Sequence, residues 1–143
     1  MKKKKGIVVD SSIAVKWLNK QDEIYIKQAD KILNDVQKEK IYLLMPELAK
    51  YEVGNALLYK QMPLQNTLGT IATYYSIPIQ FVSQNQQQAQ DALKIAYKNK
   101  ITFYDATFIA LAKEQKAELI TDNPKHQKKK TTGVKVTSLK DYK

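Results

Sequence analysis

The chain has no cysteine, no arginine and a single histidine in 143 residues. Lack of cysteine rules out disulfides, thiolate metal ligands and cysteine nucleophiles together, and fits a reducing compartment. Without arginine, phosphate can be met only by lysine point charges and backbone donors, because the planar fork that grips it bidentately is missing. One histidine cannot supply paired-histidine acid–base chemistry, and His126, between Lys125 and Lys128, reads as a solvated loop residue. Apolar runs are short as well. None approaches the ~20 residues that span a bilayer, and the basic start is followed only by Ile7, Val8 and Val9 before Asp10, so no export signal is read. These absences predict a soluble, cytoplasmic protein without membrane contact.

What is present is ordinary in amount and uneven in charge. A length of 143 residues with 43% hydrophobic content predicts one domain over residues 1–143, in which 1–5 form a basic tail. The net charge is +10, carried by 24 lysines against 14 acids. Seven of those lysines lie in two runs, 2–5 and 128–130, and without them the balance falls to +3. Such runs attract a polyanion through counterion release, or are simply solvated.

Hydrophobic periodicity divides the chain into alternating strands and helices. Residues 6–10 read as a short buried strand, with Ser11 or Ser12 capping a helix through Trp17 and Leu18. Tyr25, Ala29, Ile32, Leu33 and Val36 mark one face of a helix within 24–39. A strand at 41–45 precedes a helix from Pro46 to about residue 61, with Pro46 and Glu47 in its first turn, and another helix follows Pro63. A strand at 79–82 and a helix at 85–99, striped by Ala89, Ala92, Leu93 and Ala96, come next. The helix at 102–115 is apolar almost all round in its middle, so it lies deep. Strands at 118–121 and 134–137 close the pattern around a lysine-rich loop. This alternation predicts an α/β fold with a central parallel sheet covered on both faces, and ligands beyond the carboxyl ends of its strands.

Acids at those ends are therefore informative. Asp10 ends the first strand and Asp122 the fourth, Asp105 opens the deep helix, and Glu52 stands between Tyr51 and Val53. Each has a structural alternative. Asp10 could cap a helix, Asp105 follows Thr102 at capping-box spacing, Asp122 precedes a turn-like Asn123-Pro124, and Glu52 could be a surface acid. Glu47 is explained by the helix terminus alone.

In their order and spacing these segments resemble the PIN domain family, and in particular its small VapC-like toxins. Residues 8–12 followed by 14–18 are similar to its first motif, 51–57 to the second, 103–112 to the third and 119–123 to the fourth. The resemblance implies a three-layer α/β/α sandwich and an acidic metal site of Asp10, Glu52, Asp105 and Asp122, supported by Ser12 and Thr121. The stretch Asn123-Pro124-Lys125-His126 lacks the further acid that some members carry there. Implied too are a metal-dependent endoribonuclease, an RNA substrate, a cognate antitoxin and a homodimer. Carboxylates suit Mg²⁺ or Mn²⁺, which activate water for attack on phosphorus. Tyr74, Tyr75 and Tyr104 could stack on bases or belong to core and interface. The alternative is a catalytically inactive PIN-like module that binds nucleic acid or protein through its lysines.

Overall fold

The computed structural model describes residues 3–122 and 133–143; His126, the Asn123-Pro124 turn and the lysines at 128–130 lie outside the described residues. Strand β1 (Lys5–Val9) sits at the centre of a five-stranded parallel sheet of order β3-β2-β1-β4-β5, with β2 (Ile41–Pro46), β3 (Ile79–Val82), β4 (Glu118–Thr121) and β5 (Val136–Ser138). A central parallel strand is covered on both faces, which explains its unbroken apolar run: Ile7, Val8 and Val9 are all buried. At Gly6 a Cβ would meet the outer atoms of the Tyr42 ring of β2 at 2.7 Å, so that ring would have to shift.

The helices occupy both faces for a topological reason. From β1 through α1 (Ser11–Leu18) and α2 (Ile26–Gln37) to β2, then through α3 (Leu48–Tyr59) and α4 (Leu64–Ser76) to β3, the chain steps one way across the sheet. From β3 it returns through α5 (Gln86–Asn99) and α6 (Phe103–Glu114) to β4 on the far side of β1. Right-handed crossovers in opposite directions place α1–α4 on one face and α5–α6 on the other, giving three layers. The order of travel reverses between β1 and β4, and the crevice at their carboxyl ends is where such sheets bind ligands. Among the described residues, no helix is long and apolar enough to cross a membrane.

Several local expectations are corrected. Asp10, not Ser11 or Ser12, is the N-cap of α1, its side chain accepting from the Ser11 N–H. Pro46 closes β2 opposite Val82, so Glu47 is the N-cap and α3 begins at Leu48. Tyr25 leaves the face of α2 because it adopts a left-handed conformation at φ 58° just before the helix. On α5 Leu93 is exposed, and Ile95 with Ala92 carries the buried stripe. The α6 expectation is met: every residue from Ala106 to Ala112 is buried. Tyr74 is fully buried against Tyr75 and Phe81, whereas Tyr75, Tyr104 and Tyr59 are exposed. Lys4 and Lys5 lie at the amino end of β1, paired with Glu39 and Glu118. That is the sheet edge opposite Asp10, so these two lysines do not line a cleft at the carboxyl edge.

Candidate active site

The pairing of β1 with β4 brings the first and fourth acidic segments together. Val9 stands opposite Ile120, and the Asp10 N–H donates to the Ile120 carbonyl at 3.0 Å. Asp10 and Thr121 thereby become neighbours, and the buried Thr121 hydroxyl donates to Asp10 Oδ2 at 2.8 Å. The other oxygen, Oδ1, accepts from the Ser11 N–H at 2.7 Å. Next along the helix, the Ser11 hydroxyl donates to Glu52 Oε1 at 2.8 Å, which joins α3 to the start of α1. Asp105 arrives from the opposite layer in the first turn of α6, where the Thr102 hydroxyl caps its N–H at 3.0 Å.

The acids also interact through their charges. Burial pushes the Asp10 carboxyl above the usual carboxylate range; hydrogen bonds from Thr121 and the Ser11 N–H oppose the rise without cancelling it, and the charges of Asp105 and Asp122 add to it. Glu52 is raised by burial too, with Ser11 opposing and Asp10 and Asp105 adding. Asp10, Glu52 and Asp105 are thus mutually repelling neighbours. Asp122 is within reach of Asp10, but its Oδ2 is engaged by the Lys16 ammonium at 3.1 Å. With the side chains so committed, no three carboxylate or histidine groups among the described residues converge on a point that would hold a metal ion. Glu47 pairs with Lys50 at 3.0 Å, as befits a residue explained by its helix terminus.

Sequence reasoning missed two features. Ser12, read as a support residue, has a buried hydroxyl without a hydrogen-bond partner among the described residues, beside an open groove of about 510 Å³ shared with Glu52, Glu23, Asn55, Tyr59 and Lys60. Lys16 is only 1% exposed and is bound by Glu23 as well as Asp122. The available signal was a lysine inside the apolar run Ile13-Ala14-Val15-Lys16-Trp17-Leu18.

The raised carboxyls make stability depend on pH. A carboxyl raised by folding contributes stability that is fully present below its unfolded pKa and lost as pH rises through its folded value. Asp10 and Glu52 are of this kind. Glu23, Asp35 and Glu118 are the reverse: burial would raise them, yet hydrogen bonds from Lys60 and Lys16, from Tyr142 and Lys31, and from Lys5 and Thr137 prevail and lower them. Their stabilisation is present above the unfolded range and lost as pH falls through their lowered values. As pH falls from neutrality through the raised Asp10 value, therefore, the metal-free wild type gains thermal midpoint relative to Asp10→Asn. Calorimetry in EDTA measures this, and parallel profiles for the two proteins would remove Asp10 from the charge cluster.

Comparison with known proteins bears on the fold and the family. No curated protein matches the sequence. The fold is shared with chains in the structures of VapBC2 from Rickettsia felis bound to a DNA fragment from their promoter (13% identity, TM-score 0.71, covering 93% of this chain and 98% of that one). It is shared likewise with DNA-bound VapBC from Salmonella typhimurium (13%, TM-score 0.69, 94% and 98%). A third is VapC20 of Mycobacterium tuberculosis, a sarcin–ricin loop cleaving toxin (13%, TM-score 0.63, 81% and 87%). The family model for the PIN domain matches residues 7–131, a span that takes in all four acids and most of the sheet: the chain belongs to the PIN domain family.

Proposed function

We propose that the chain is a divalent-metal-dependent endoribonuclease, the toxin of a toxin–antitoxin pair, with Asp10, Glu52, Asp105 and Asp122 as its acidic site. The observation that carries this reading is that Asp10, Glu52 and Asp105, from three different elements, feel one another's charge, in two carboxyls that burial chiefly raises. Neighbouring carboxylates repel one another, and a divalent cation relieves that repulsion. The donors are hard oxygens that suit Mg²⁺ or Mn²⁺, which supply Lewis acidity and an activated water for phosphodiester hydrolysis. Asp10 would remain held by Thr121 and the Ser11 N–H, Glu52 would turn from the Ser11 hydroxyl, and Ser12 offers a spare buried donor.

The groove beside Glu52 offers Tyr59, 77% exposed, as a stacking surface for a base. The exposed Tyr51, Leu58, Tyr59, Leu64 and Leu68 of α3 and α4 support protein partners, namely an antitoxin and a second copy of the chain. Two of the similar structures are VapBC assemblies and a third is a sarcin–ricin loop cleaving toxin, which supports the toxin reading. The Lys16–Asp122 ion pair favours a second reading, in which the acids are structural and the chain only binds nucleic acid or protein.

Purified protein incubated with structured RNA is expected to cleave in Mg²⁺ or Mn²⁺ and not in EDTA, and the metal is expected to raise the thermal midpoint by mass action. Equal binding of RNA with and without metal, no cleavage across a panel of structured RNAs, and an unmoved midpoint would establish the binding module instead.

A further inference from the structure

The ammonium of Lys16 donates to Glu23 Oε1 at 3.0 Å and to the Ile24 carbonyl at 2.8 Å, and forms an ion pair with Asp122 Oδ2 at 3.1 Å. Lysine is almost never fully buried unless paired, and a buried ion pair adds little stability over a well-packed apolar side chain. The apolar neighbours of Lys16 on α1 show that packing alone could be served by leucine or methionine. What an ammonium does there, and an apolar group cannot, is fix the orientation of its carboxylate partners. The anchor is itself anchored. Glu23 Oε2 takes a second cation, Lys60, at 2.7 Å, and Lys60 also donates to the Gln21 carbonyl at 2.5 Å. Lys60 is the C-cap of α3, the helix that carries Glu52. A charged chain, Lys60–Glu23–Lys16–Asp122, therefore ties the end of α3 and the segment after α1 to the residue that ends β4. Asp122 Oδ1 has no hydrogen bond among the described residues.

We propose that Lys16 is a positioning residue, whose ammonium holds Asp122 by one oxygen and leaves the other for the cation that Asp10, Glu52 and Asp105 would bind. The inference rests on the metal site proposed above. It differs from a general electrostatic role in sign: a bystander lysine repels a divalent ion, so its removal tightens metal binding, whereas removal of a positioning residue weakens it.

The experiment is a double-mutant cycle on Lys16→Met and Asp122→Asn, reading Mn²⁺ affinity by calorimetric titration in the absence of RNA. Methionine keeps volume and leaves Glu23 its pairing with Lys60; should that variant fail to fold by circular dichroism, Lys16→Gln, which retains a donor for the Ile24 carbonyl, takes its place. Lys16→Met is expected to weaken Mn²⁺ binding about 10–100-fold, as loss of a group that orients a ligand does. In the Asp122→Asn background the same substitution is expected to change affinity less than about two-fold, because the residue being positioned is no longer a charged ligand. Unchanged or tighter binding in Lys16→Met, or the same loss in both backgrounds, would overturn the assignment. Wild type and Asp10→Asn are titrated alongside: if neither binds Mn²⁺, the metal site falls and the role of Lys16 with it, whereas binding by wild type alone with Lys16→Met matching it removes only the latter.

Discussion

Asp10→Asn is expected to lower metal-dependent RNA cleavage by at least the ~10²–10³-fold that loss of one preorganised electrostatic group costs, while raising the thermal midpoint of the metal-free protein at neutral pH. The two effects have one origin. Asp10 is raised by burial and by the charges of Asp105 and Asp122, so its ionised form opposes folding whenever no cation compensates it. Asparagine removes the charge and keeps the shape. Its one side-chain oxygen still caps α1, a position at which Asn and Asp serve about equally well, and its amide NH2, facing Thr121, donates to that hydroxyl once the hydroxyl rotates to accept. The fold is thus preserved while the donor set loses a negative oxygen, a trade of stability against function that is characteristic of active sites. Cleavage assays and calorimetry on the same preparation separate the outcomes. Cleavage retained within about ten-fold would place the chemistry elsewhere, and a lower midpoint would mean that Asp10 is a structural cap first.

Tyr74→Ala is expected to cost about 3–5 kcal/mol, the range for truncating a buried aromatic, and to lower the thermal midpoint by about 10–20 °C. Tyr74 is the sole fully buried residue of α4, so the docking of that helix depends on it. Its ring meets Tyr75 and Phe81 edge-on at 5.9 and 5.7 Å, and its hydroxyl reaches only Met45 Sδ at 3.4 Å. Sulfur is a weak acceptor, so Tyr74→Phe should cost less than about 1 kcal/mol. Denaturant titration of both variants tests the pair. A large loss in Tyr74→Phe would mean that the hydroxyl, not the ring, holds α4.

Strong patterns were legible in the sequence. The run Ile7-Val8-Val9 demanded a doubly covered strand, and the apolar middle of α6 demanded burial; neither depends on what packs against it. Tyr74 was different. At its spacing a tyrosine is more often core or interface than a base-stacking surface, but which of Tyr74 and Tyr75 is buried was decided only by how α4 packs. Leu93 failed for the same reason, since two stripes one residue apart fit α5 and the contact with α6 selected Ile95. The basic start of the chain gave its charge but not its side, and β1 carries Lys5 to the edge away from Asp10.

By itself, then, the sequence determined which segments are strands and helices, that the strands run parallel, and which acids stand at strand ends, because period and strand-end position are local properties of the chain. Tertiary structure alone decided who neighbours whom. The β1–β4 pairing set Asp10 beside Thr121 across 111 positions of sequence, and Ser11 joined Glu52 across 41. Lys16, one lysine among 24, acquired its buried place from three oxygens that converge only when α1, its following segment and β4 meet. Such contacts are fixed by packing between elements distant in sequence, and no local periodicity encodes them.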